Sequence, residues 1–160
     1  MIGAGGRRQR GSVLAEFAVC IPVILLMVLG AIDFGRVWTL ATASANAAQA
    51  GAQYGAQSVP LSADLVGIRA AVVSDLQSSV VLRAGADDGG PVITDFTITP
   101  ERYCECSNGV GIGCTDTCFG GAKPLVFVSV QVASTFKTLF DYPGIPSEIP
   151  VTRAAVLRAR

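Results

Sequence analysis

Four cysteines, Cys104, Cys106, Cys114 and Cys118, crowd into a Gly-rich stretch of a chain of 160 residues, with C-x-C and C-x3-C spacing. Four thiolates at close range could hold zinc, but structural zinc sites favour C-x2-C knuckles. In an oxidising compartment such cysteines pair as disulfides, and that is the expectation here. Thiol redox catalysis is disfavoured, because neither a C-x-x-C pair nor a basic neighbour is present to lower a thiol pKa. Four cysteines allow three pairings, and the one joining Cys104 to Cys106 closes too short a ring. If Tyr103 to Cys106 and Thr117 to Leu125 form neighbouring strands, a nested pairing follows, Cys104 with Cys118 and Cys106 with Cys114, although spacing alone does not fix connectivity. The chain has no histidine, which excludes Ser-His and Cys-His nucleophiles and histidine metal sites. Asp87-Asp88 lacks the spacing of a calcium loop and reads as a turn. These residues describe a protein that is not an enzyme and holds no cofactor and no metal.

The other residue that needs a chemical reason is Glu16. It heads a run from Phe17 to Ile32 without a single charge, and Arg7, Arg8 and Arg10 precede it with no acid among them. A basic flank before an apolar membrane element leaves the N-terminus in the cytoplasm and sends the remainder across. Ionisable groups inside a span cost about 2.5 to 3.5 kcal/mol at its centre on insertion scales and mark function by default. The bland alternative is a glutamate that snorkels to the headgroups. Formal net charge is zero, so nothing suggests a nucleic-acid surface. Cys20, inside the run, reads as a small hydrophobe.

Gly11, Ser12, Glu16 and Phe17, followed by an apolar helix, fill position by position a pattern similar to the processing signature of type IV pilin-like precursors. The wider context is Glu16-Phe17-Ala18, Pro22, Gly30-Ala31-Ile32-Asp33-Phe34-Gly35-Arg36, Asn46-Ala47-Ala48 and Gly51-Ala52-Gln53-Tyr54-Gly55-Ala56. Over this first third the chain resembles the TadE family of pilus assembly pseudopilins, found in tight-adherence (Flp pilus) machines. The resemblance implies cleavage after Gly11 by a prepilin peptidase. It also implies a role as a minor pseudopilin that packs its helix against other pilin-like subunits and the tight-adherence machinery, in a pilus or secretion system. Cleavage would give Ser12 a new α-amino group, four residues from Glu16 on the same helix face, and the resemblance implies that this contact sets the register of incoming subunits.

Two other functions compete. A secreted protein with a cleavable signal peptide could use Ala41-Thr42-Ala43 or Ala43-Ser44-Ala45 as its cut site, but Glu16, Asp33 and Arg36 oppose it. A signal-anchored periplasmic thiol or metal-binding domain is compatible with the four cysteines and weakened by the missing histidine.

These sites need elements to position them. Residues 1–11 read as a cytoplasmic leader. Residues 12–59 read as one long helix, spanning the bacterial inner membrane at about 13–32, bent or merely tolerant at Pro22. Beyond the span, alanines continue the helix, and Gly51 and Gly55 at i, i+4 either invite close packing or soften its end. Residues 60–160 read as an extracytoplasmic head carrying the cysteine-rich loop 104–118. After Pro60, Ser62 is expected to cap a second helix whose Leu65, Ile68, Val72, Leu76 and Val80 share a face, with Asp64 in its first turn and Arg83 near its end. A loop from Ala84 to Pro91 precedes alternation from Val92 to Thr99. Leu125 to Phe136, with Val126, Val128, Val130 and Val132 on one face, is the strongest strand. Another runs from about Ile149 to Arg158 after a turn at Tyr142 to Pro146. The expected fold is α+β: a long transmembrane helix, then a second helix packed on a small antiparallel sheet.

Overall fold

The computed structural model describes residues 9–79, 96–139 and 144–160, and side chains from Leu14 onward. The leader up to residue 8, Val80, Arg83, the 84–91 loop with Asp87-Asp88, the 92–95 half of the alternating segment and Tyr142-Pro143 lie outside the described residues. The first helix, α1, runs Gln9–Ala56, continuous through Pro22. The chain divides into two compact units between Arg36 and Val37, so the two stretches of α1 belong to different units.

In the first unit α1 exposes large apolar residues all the way round. Leu14, Val19 and Met27 are each at least 70% exposed, and Phe17, Val23 and Leu26 more than half. A helix apolar on every side belongs in a medium as apolar as itself. From Leu14 this helix is long and apolar enough to cross a membrane, which supports a membrane-anchored protein.

The second unit starts with the alanine-rich stretch of α1. Leu40, Ala41, Ser44, Ala47, Ala48, Gly51, Ala52 and Gly55 recur at three- and four-residue steps and are buried, which is the stripe a core-facing helix presents. Past Ala56 the chain winds into a single 3-10 turn, Leu61–Ala63, and then into α2, Leu65–Ser78. The cap of α2 is Asp64 and not Ser62. Asp64 Oδ1 accepts the Gly67 N–H at 2.9 Å, while the buried Ser62 hydroxyl donates backwards to the Val59 carbonyl at 2.6 Å. Pro60 and Leu61 spend a turn before the helix proper begins, which moves the first orphan N–H groups beyond the reach of Ser62.

Four strands follow: β1 Thr97–Glu105, β2 Gly111–Ile112, β3 Leu125–Lys137 and β4 Glu148–Arg158, in spatial order β2-β1-β3-β4. Every pairing is antiparallel, with Cys104 opposite Ile112, Glu105 opposite Leu125 and Phe127 opposite Arg158. Val126, Val128, Val130 and Val132 of β3 turn one face into the core. There Val128, Val130 and Val132 pack with Ile68, Val72 and Leu76 of α2 and Ala47, Ala48 and Ala52 of α1. Leu40 and Ala41 join Phe136 and Val151 in a second cluster. The architecture is the α+β arrangement that the patterning predicts, with both helical stretches of this unit on one face of the sheet.

Candidate functional site

Two places hold the residues singled out by their chemistry: the start of α1, and the cysteine loop of the sheet-bearing unit. Gly11 and Ser12 lie on the helical backbone of α1. Glu16 and Phe17 follow on the same helix, both exposed. Glu16 is one turn on from Ser12 and therefore shares its face of the helix.

The cysteine loop is built by β1 and its two neighbours. The chain reverses at once after Cys106 and returns as β2, so that Ile112 faces Cys104. Cys114, two residues on, reaches back to Cys104 with a Cα–Cα distance of 5.1 Å, and Cys106 bonds Cys118 at 5.7 Å. The pairing is therefore crossed, not nested. The nested expectation placed residues 117–125 beside 103–106. Instead β2 takes the outer edge of β1, and β3 begins only at Leu125, pairing with Glu105. Cys104 in β1 and Cys106 just past its end are both buried, and Cys104, with Cys114 against it, closes a small cluster with Val126 and Ala159. All four thiols are consumed in disulfides, which removes the thiolates a zinc or thiol-exchange site would use.

A third constellation is absent from the motif reading: Tyr54 on α1 donates its hydroxyl to Asp64 Oδ2 at 3.0 Å. Accepting the Gly67 N–H, and then the Tyr54 hydroxyl, holds the Asp64 carboxyl below the usual carboxylate range, against a smaller opposing push from burial. The same bond, helped by burial and by the negative charge of Asp64, raises Tyr54 above the ordinary phenol range. This latch ties the end of α1 to the start of α2. Asp64 standing just before an apolar helical run was the available cap signal, whereas nothing in the spacing announces Tyr54 as its partner.

Close packing at Gly51 and Gly55 explains how α1 reaches the core. A Cβ on Gly51 would collide with the Val72 side chain, and one on Gly55 would lie 2.9 Å from Ile68 Cδ1 and 3.0 Å from Val128 Cγ1. The pair therefore serves contact with α2 and β3 of the same unit.

Among the described residues no cluster of His, Cys, Asp and Glu is placed to hold a metal ion. Residues 11–53 match the family model described as TadE-like protein. No curated protein and no solved structure matches the chain. The match falls on the stretch that carries Gly11, Glu16, Phe17 and the apolar helix, and over that stretch the chain is similar to the TadE-like family.

Proposed function

We propose that this protein is a minor pseudopilin or pilus assembly protein of a tight-adherence machine. In this reading a prepilin peptidase trims it after Gly11, and it then packs α1 against other pilin-like subunits. The leader (1–11) and N-terminus remain in the cytoplasm, the helix spans the inner membrane at about 13–32, and the head lies outside, on the assembly factor or in the pilus itself. The observation that carries this reading is the coincidence, on one stretch, of the TadE-like match with an ionisable Glu16 ahead of a helix whose apolar residues are exposed on every side. The cysteines fit an oxidising, extracytoplasmic head.

The signal-peptide alternative loses support from packing. A cut near Ala43 or Ala45 would remove Leu40 and Ala41 from the cluster they form with Phe136 and Val151, and such holes are costly.

The test is the mature N-terminus together with two variants. Native protein should begin at Ser12, and Gly11→Val should accumulate full-length chain because a branched side chain does not fit a cut site made for glycine. Glu16→Ala should be processed yet fail to assemble, since an unpaired partner charge in the membrane is costly. A mature chain starting elsewhere, or a Glu16→Ala chain that assembles at the native level, would sink the proposal.

A further inference from the structure

The cysteine loop contains two turns of the same construction. The Cys106 N–H donates to the Val110 carbonyl at 2.9 Å, and its carbonyl accepts from the Gly109 N–H at 2.8 Å. Likewise the Cys118 N–H donates to the Ala122 carbonyl, and its carbonyl accepts from the Gly121 N–H, both at 2.9 Å. The two cysteines that open these turns are bonded to each other. Each tip is therefore held at its base by backbone hydrogen bonds and a shared covalent link. At the second tip Phe119 precedes Gly120, whose φ of 83° suits the third position of a type II turn. Phe119 is completely exposed, and Val110 on the other turn is 55% exposed.

An aromatic residue on a braced tip is preorganised for burial elsewhere, because little loop entropy is left to lose on contact. The same module also supplies a receptor for it. An open hollow of about 520 Å³ is lined by Arg102, Tyr103, Cys104, Ile112, Gly113 and Cys114. Arg102, one of these lining residues, has its Nε buried without a hydrogen-bond partner and forms no ion pair among the described residues. On the knob side Asp116 is exposed, three residues before Phe119. One of its oxygens accepts the Gly113 N–H at 3.0 Å, and it too has no ion pair among the described residues.

We propose that the cysteine loop is a self-association surface, in which Phe119 of one copy seats in the hollow of a second copy and its Asp116 meets the Arg102 there. The ring finds an aromatic and a guanidinium to lie against, and an unpaired acid faces an unpaired base. Knob and hollow belong to one cross-linked module, so a two-fold axis can satisfy both at once and close the contact at two copies. This surface is independent of the assembly role proposed for α1.

The test uses the full chain in detergent micelles, mixing light- and heavy-isotope protein, with photoreactive benzoylphenylalanine in place of Phe119. The expected result is light–heavy cross-links from position 119 to residues 102–114. Asp116→Lys, at an exposed position whose carboxylate accepts the Gly113 N–H, should lower their yield about tenfold. Correct disulfides by peptide mapping establish that each variant is folded. Absence of light–heavy cross-links from position 119, cross-links that land on α1 or on other surfaces, or a yield indifferent to Asp116→Lys would each overturn the proposal.

Discussion

The segment that ends at Arg36 and the unit that begins at Val37 treat apolar side chains in opposite ways. In the first, Leu14, Val19 and Met27 stand at least 70% exposed; in the second, Leu40, Val128 and Val130 are wholly buried. Yet both are served by one continuous helix, Gln9–Ala56. Hydrophobicity drives a side chain out of water without naming what receives it. The first segment leaves its apolar surface exposed along a helix long and apolar enough to cross a membrane. The second supplies its own receiver, and there the helix changes from large residues to alanine and glycine, because close approach of backbones becomes the limiting requirement. Large side chains suit the medium that has room for them, and small ones suit the interface that has none.

That contrast can be broken at several points. The largest effect is expected from Cys106→Ser with Cys118→Ser, which removes the bond under both turns. Loops of this size are stabilised by about 2 to 4 kcal/mol when closed, a large share of what a small domain has. Denaturant titration in detergent should show the sheet-bearing unit unfolding early while the far-ultraviolet helical signal of the apolar segment persists; joint loss of both would contradict the independence of the two units.

A glycine comparison sharpens the argument within α1 itself. Gly51→Leu forces a side chain into Val72 and should destabilise the head by about 1 to 3 kcal/mol. Gly30 has nothing within 4 Å of the position a Cβ would take, so Gly30→Leu should leave the unfolding free energy of the head within about 0.5 kcal/mol of native. Equal effects at the two positions would remove the distinction between the stretches.

The smallest expected effect is on pH dependence. Asp64 is held below its ordinary range by the Gly67 and Tyr54 bonds. Its contribution is therefore complete above the unfolded carboxylate value and is lost as the pH falls through the lower, folded one. Tyr54 is shifted upward, so its contribution is complete below the ordinary phenol value and is lost as the pH rises from there through the raised one. Asp64→Asn should flatten the acid limb below about pH 4 and change little near neutrality beyond a constant offset. An acid limb identical to native would place the titrating group elsewhere.

Much of this was legible in residue order, wherever neighbours along the chain decide the outcome. The uncharged run after Glu16 determined an apolar helix, the steps Ile68, Val72 and Leu76 determined the buried face of α2, and alternation from Val126 to Val132 determined the inward face of β3. Those signals are periodic and local, so they survive without knowledge of the fold. Tertiary structure alone decided three things. The crossed disulfides depend on β2 turning back after Cys106 to take the outer edge of β1, a choice among partners that spacing does not encode. The cap at Asp64 depends on how many residues the turn after Pro60 uses. Burial of the alanine-rich stretch depends on Val72, Ile68 and Val128 arriving against Gly51 and Gly55 from later in the chain. Small side chains carry little hydropathic contrast of their own, and their value appears only when another segment comes close enough to need the space.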